Sequence, residues 1–167
     1  MDAIIMAGGK GLRMGNNKKM LLEVENRPVL YRIIALLREM EFKVNICISK
    51  NTEFLSNIEG TNIITGTGNY ANDLKYSLGL CSVPALVLPA DVIFSRNLLK
   101  SYIELSYKVR TDIATLKVNG ELSGISIFFK RPEDKELSYT NIEIEDKSFF
   151  NLNYQDDYIR ARQYFKQ

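Results

Sequence analysis

Ala3-Ile4-Ile5-Met6-Ala7-Gly8-Gly9-Lys10-Gly11-Leu12-Arg13-Met14-Gly15, with Lys19 four residues on, is the stretch from which the rest of the chain can be read. The apolar run Ala3 to Met6 predicts a strand, and the four glycines after it predict that the strand opens into a loop. Glycine reaches φ > 0 freely and lets backbone N–H groups approach a ligand with no Cβ in the way. Successive N–H groups in such a turn form an anion-binding concavity, and interleaved Arg and Lys complete the charge match. The pattern implies a loop that holds phosphates. The plainer alternative is a glycine-rich turn joining two strands.

Two familiar phosphate loops do not fit. G-x-x-x-x-G-K-[ST] fails because, counting from Gly8, Arg13 takes the place of the second glycine, and no Gly-Lys-Ser/Thr occurs anywhere. G-x-G-x-x-G opening a helix fails because Met14 stands at its last position and Gly15 is one residue late. Nor do the next residues start a helix: Met20 to Val24 reads as a short strand and Glu25 to Pro28 as a turn. The pattern that fits is G-G-x-G-x-R-x-G-x-x-x-K, which resembles the signature of the MobA-like nucleotidyltransferases.

Composition narrows the chemistry. At 167 residues the chain predicts one domain, 1–167, with room for a proper core. The net charge of +2 is too small, and the basic residues too dispersed, to suggest nucleic-acid binding. No apolar run is long enough for a membrane span, and the N-terminus lacks the layout of a signal peptide. Cys47 and Cys81 both sit in apolar surroundings, which predicts buried free thiols and a reducing cytoplasm. There is no histidine at all. His-based triads, bases and metal sites are excluded, leaving carboxylates, amides, Lys, Arg and a hard metal ion.

Strands and helices alternate along the first hundred residues. Strands are expected at 2–6, 44–48, 62–65 and 85–88, and helices at 29–40, 51–58 (capped by Asn51), 70–81 and 95–107 (capped by Ser95). The 70–81 helix should bury Ala71, Leu74, Leu78 and Cys81. Strands at 112–118, 123–130 and 141–152 and a helix at 155–166 complete the chain. This alternation predicts an α/β fold, a three-layer doubly wound and mostly parallel sheet, with the later strands adding antiparallel edges. Ligands of such sheets lie outside the carboxyl ends of the strands, and the chain's polar clusters each come just after a predicted strand.

Four constellations stand out. In the first loop, Arg13 offers a planar fork to phosphate oxygens and Lys19 a mobile point charge. Asp91 directly follows the apolar run to Leu88-Pro89-Ala90 and suits Mg²⁺, which is held by one or two carboxylates plus substrate phosphates. Thr65-Gly66-Thr67-Gly68-Asn69-Tyr70 opens a helix N-terminus that could face a base or sugar, or is a simple turn with Asn69 as N-cap. Asn151 and Asn153 alternate along a strand end, so an amide oxygen of either could complete a Mg²⁺ shell opposite Asp91. Alternatively, they cap the last helix. Asp156 and Asp157 read as first-turn acids that favour the helix dipole.

Taken in order, these segments resemble the archaeal GTP:adenosylcobinamide-phosphate guanylyltransferases, a MobA-like family. The resemblance runs from Met1 to Lys19, through Thr65 to Leu74, Ala90-Asp91, Asn119-Gly120, Gly124-Ile125-Ser126, and Phe150 to Asn153. It implies a Rossmann-like fold of the nucleotide-diphospho-sugar transferase type. It implies that Gly8, Gly9, Gly11, Arg13 and Lys19 bind the triphosphate, that Gly66 and Gly68 lie near the guanine, and that Ala7, Lys10 and Asp73 also belong to the nucleotide-binding set. Arg13, Lys19 and Asp91 would be catalytic, and Asp91 with Asn153 or Asn151 would hold Mg²⁺. The chain departs from the pattern at Met20, where relatives often have Pro or Gly, and at Pro89-Ala90. The implied partners are GTP and a phosphorylated small-molecule acceptor, expected to be adenosylcobinamide phosphate, with molybdopterin or a sugar phosphate as alternatives. Assembly as a homodimer is left open. A nucleotide-binding regulatory module without turnover is the reading from a different class.

Overall fold

A computed structural model describes residues 1–9, 18–133 and 136–166. In chain order the elements are β1 (Asp2–Met6), a 3₁₀ turn (Lys19–Leu21), β2 (Glu23–Val24), β3 (Arg27–Pro28) and α1 (Val29–Glu39). Next come β4 (Lys43–Ile48), a second 3₁₀ segment (Lys50–Leu55), β5 (Asn62–Thr65), α2 (Tyr70–Leu80), β6 (Ala85–Pro89), β7 (Val92–Ile93) and α3 (Arg96–Ser106). The chain ends with β8 (Ile113–Val118), β9 (Glu121–Phe128), β10 (Tyr139–Ile144), β11 (Phe150–Asn151) and α4 (Gln155–Phe165).

Seven strands form the central sheet in the order β10-β8-β9-β6-β1-β4-β5. The continuous apolar runs of β1 and β6 become its centre because both of their faces are covered. Ala3 and Ile5 pack with the inner faces of α1, α3 and α4, while Ile4 packs on the opposite face with Leu78 of α2. These are the three layers. α1 starts after Pro28 and buries Val29, Leu30, Ile33, Ile34 and Leu37, the apolar face its spacing predicts. Among the described residues, no helix is long and apolar enough to cross a membrane.

The strand registers align one rim. Met6 stands opposite both Cys47 and Pro89, and Ile48 stands opposite Thr65. The carboxyl ends of β1, β4, β5 and β6 therefore finish level. Gly8-Gly9, Ser49, Gly66 to Gly68 and Asp91 come after them in turn.

The structure corrects the expectation in five places. The antiparallel strand, β9, lies inside the sheet between β6 and β8 rather than at an edge, while β8 and β10 run parallel to each other. Asn119 and Gly120, both at positive φ (52° and 83°), make a two-residue turn that folds β9 straight back. The strand expected over 141–152 is interrupted, because Asn119 pairs with the Asp146 backbone in both directions (2.9 Å each) and holds a turn between β10 and β11. Met20 to Val24 is only partly a strand, since Lys19–Leu21 coils and buries Met20. The helix expected over 51–58 is the 3₁₀ segment that begins after Ser49, so Asn51 is not its cap. Finally, α2 buries Asp73, Ser77 and Leu78, and Ala71 is exposed. Hydrogen bonds from the preceding loop to Asp73 set the helix's rotation.

Candidate active site

Lys10, Gly11, Arg13 and Gly15 lie outside the described residues. The two ends of their loop are anchored. At its start, Ala7 N donates to the Cys47 carbonyl (2.8 Å), and the Gly8 carbonyl accepts from Ser49 Oγ (2.9 Å). A Cβ on Gly8 would stand 3.3 Å from Ser49 Cβ, whereas one on Gly9 would meet nothing within 4 Å among the described residues. At the other end, the 3₁₀ turn is closed by Leu21 N donating to the Lys18 carbonyl (2.8 Å) and pinned by buried Met20. The apolar Met20, a departure from the family pattern, is thus the anchor that leaves Lys19 on the rim.

Lys19 Nζ forms an ion pair with Asp91 Oδ2, both side chains being largely shielded from solvent. Asp91 emerges from the end of β6, and its own carbonyl accepts from Leu152 N (3.0 Å). β7 and β11 pair antiparallel, with Val92 opposite Asn151. The segment Asn151-Leu152-Asn153 is therefore fastened alongside Asp91. Leu152 is fully buried, and the two asparagines flanking it are half-buried. Among the described residues no hydrogen bond engages either amide side chain. The helix-capping alternative is not what is seen: Asp157 takes that part, its Oδ2 accepting from Tyr154 N (2.8 Å) and Asn153 N (3.1 Å). Gly124, at φ +79°, packs its backbone against Pro89, where a Cβ would fall 3.1 Å from Pro89 Cγ. Only a glycine leaves the strand that leads to Asp91 undisturbed.

The second glycine loop is held by Asp73. Its Oδ1 accepts from Thr67 N (2.7 Å) and Thr67 Oγ1 (2.9 Å), and its Oδ2 accepts from Gly68 N (2.8 Å). A Cβ on Gly66 would lie 2.5 Å from Asp73 Cγ, so glycine is required there by the carboxylate itself. Gly68 sits at φ +91°. Gly66 N donates to the Ile48 carbonyl (2.7 Å), and Asn69 caps α2 by accepting from Asn72 N (3.1 Å). Asp73 is only 4% exposed. Its oxygens are turned to the loop, which they hold in place.

Asp91 and the segment fastened beside it offer only hard oxygen donors: one carboxylate and the amides of Asn151 and Asn153. Among the described residues no group of three His, Cys, Asp or Glu gathers anywhere. Asp91 already faces a cation, the Lys19 ammonium. The residues fit a divalent ion that arrives with substrate phosphates rather than one caged by protein alone.

Residues 3–140 match the MobA-like NTP transferase domain. The chain belongs to this family. Along nearly its full length it is 30% identical to an adenosylcobinamide-phosphate guanylyltransferase from Methanocaldococcus jannaschii, covering 99% of this chain and 98% of that protein. It is 32% identical to a molybdenum cofactor guanylyltransferase from Shewanella halifaxensis, over 56% of this chain and 52% of that one. Among solved structures the same fold recurs in Rv0371c from Mycobacterium tuberculosis (TM-score 0.73, 16% identity, 97% of each chain), also solved as a manganese complex (TM-score 0.70, 12% identity, 97% of each chain). It recurs again in HddC from Yersinia pseudotuberculosis (TM-score 0.70, 14% identity, 98% of this chain and 99% of that one).

Cys47 and Cys81 are buried and unbonded, and burial pushes both thiols above their ordinary range. The residue that sequence reasoning missed is Ser49. Its signal was available: like Asp91, it is a polar residue directly after an apolar strand.

Proposed function

We propose that residues 1–167 form one nucleotidyltransferase domain that transfers GMP from GTP to a phosphorylated small molecule, adenosylcobinamide phosphate, with release of pyrophosphate. The observation that carries this reading is the Lys19–Asp91 ion pair on the rim beside the first glycine loop, on the side away from the second. It unites a phosphate-seeking cation and a metal-seeking carboxylate at one point. The near-full-length identity to the Methanocaldococcus jannaschii enzyme supports the corrinoid acceptor. The half-length match to the Shewanella protein keeps molybdopterin as the second acceptor to test.

In the proposed step an acceptor phosphate oxygen bonds to the α-phosphorus of GTP. The bond from that phosphorus to the α–β bridging oxygen breaks, and pyrophosphate carries away the electron pair. A phosphate is already an anion at neutral pH, so no protein nucleophile or base is needed, which suits a chain without histidine. Catalysis is then positioning and charge stabilisation. Gly8 and Gly9 offer backbone N–H groups to the triphosphate, with Lys10, Gly11 and Arg13 completing the loop. Lys19 neutralises charge on the transferring group. The Gly66 to Gly68 backbone, held by Asp73, reads the guanine edge. Asp91 with the amide oxygen of Asn151 or Asn153 would hold Mg²⁺, which supplies Lewis-acid charge at the phosphoryl oxygens. The free buried thiols support a reducing, cytoplasmic setting.

The test is product analysis. Incubation with GTP, Mg²⁺ and adenosylcobinamide phosphate should convert the acceptor to its GDP-linked form with one pyrophosphate released per turnover. GTP binding without any adduct, across the candidate acceptors, would favour the non-catalytic module instead.

A further inference from the structure

Ser49 stands between the two glycine loops, bonded to the first and adjoining, through Ile48, the second. It is 2% exposed. Its Oγ donates to the Gly8 carbonyl at 2.9 Å. Its Cβ is 3.3 Å from where a Cβ on Gly8 would stand and 3.8 Å from where one on Gly68 would stand. The residue is itself immobilised: Ser49 N donates to Thr52 Oγ1 (3.0 Å), and the Ser49 carbonyl accepts from Thr52 N (2.9 Å), with Thr52 fully buried. One position earlier, the Ile48 carbonyl accepts from Gly66 N (2.7 Å), and Asp73 then locks Thr67 and Gly68. A short chain of hydrogen bonds and contacts thus runs from Gly8 through Ser49 and Ile48 to Gly66 and Asp73. Lys19, Asp91 and the asparagines take no part in it.

We infer that Ser49 is a positioning residue that sets the spacing between the Gly8-Gly9 loop and the Gly66 to Gly68 loop, so that one nucleotide can engage both at once. This rests on the nucleotide reading proposed above. A ligand with two ends gains from a receptor whose two subsites are held in register, because the second contact is then intramolecular. Loss of register leaves each subsite able to bind its own half and weakens only the whole. A hydroxyl that merely satisfied the Gly8 carbonyl would instead affect the phosphate end alone.

The experiment compares wild type with Ser49→Ala, and with Ser49→Cys, which keeps the side chain's reach but donates weakly. Displacement of a fluorescent GTP analogue by GTP, by guanosine and by inorganic tripolyphosphate is measured in Mg²⁺, with Tm as the control on folding. For Ser49→Ala the Kd for GTP should rise about tenfold, equivalent to about 1.4 kcal/mol, in keeping with a partly buried carbonyl left without its donor. Guanosine and tripolyphosphate should each stay within about twofold of wild type, since neither spans the two loops. Ser49→Cys should fall between. Equal weakening of GTP and tripolyphosphate overturns the inference and reduces Ser49 to a brace for the phosphate loop. Unchanged GTP binding in both variants overturns it outright. If wild type itself fails to bind GTP, the nucleotide reading falls and takes the inference with it, and that failure shows in the reference protein rather than the variants.

Discussion

Asp91 has two obligations, to the Lys19 ammonium and to the cation it would hold with substrate, and a carboxylate can serve both because each of its two oxygens accepts independently. Asp91→Asn keeps the shape and removes the charge. It should abolish metal-dependent turnover while melting within a few degrees of wild type. Outright unfolding of this variant would make Asp91 structural. Lys19→Ala and Arg13→Ala should each lower turnover on the order of 10²-fold at saturating GTP, as for loss of a transition-state charge partner. Steady-state kinetics checks both, and wild-type rates in the pair would remove the phosphate-loop assignment. Lys19 and Asp91 were each legible as charged residues near the ends of apolar runs or glycine loops, but their pairing was not. It depends on the burial of Met20, which the sequence offers only as one more apolar side chain. Asp73 was legible as a nucleotide residue only by resemblance. That its oxygens grip Thr67 and Gly68 is a tertiary fact.

At the scale of elements, the Gly66 to Gly68 loop and α2 act as one unit because Asp73 joins them. Gly66→Ala should lower Tm, since the new Cβ falls 2.5 Å from Asp73 Cγ. In an Asp73→Ala background the same substitution should cost much less, a non-additivity that a thermal-melt cycle reads directly. The opposite rim has its own clasp. Lys130 and the Ser138 backbone and hydroxyl hold the Asp112 carboxyl down to about 2. Its folded value lies below its ordinary one, so the stabilisation is present above about pH 4 and is lost as pH falls toward 2. Asp112→Asn should therefore flatten the acid limb of the Tm-against-pH curve over that window. Helix and strand identities were mostly legible because their apolar periodicity is local. The misread elements, the 3₁₀ segment after Ser49 and the turn that splits the last long strand, are fixed by specific side-chain hydrogen bonds rather than by periodicity.

Over the whole molecule, parallel crossovers bring the ends of four strands level, and that alone gathers residues from Gly8 to Asp91 on one rim. This much is implied by the βα alternation of the first hundred residues. The place of β9 is not, because insertion of a returning strand beside β6 rather than at an edge is decided by pairing energy along the entire sheet. Of the segment from Ser123 to Asp146, the part of the chain least constrained by the family resemblance, only the two ends reach the rim that carries Asp91, because β9 runs antiparallel to β6 and β10 returns alongside β8, so those ends are the part proposed to meet the acceptor. The central claim is transfer of GMP to a phosphorylated acceptor, and a pyrophosphate-release assay tests it most directly. GTP, CTP, UTP and ATP are each paired with adenosylcobinamide phosphate, molybdopterin and a hexose 1-phosphate. The account predicts release with GTP and adenosylcobinamide phosphate, and rejection of other bases by up to ~10⁴-fold, as for a site whose polar groups would otherwise stay unpaired. Preference for CTP with molybdopterin, or no release with any pair, would contradict it.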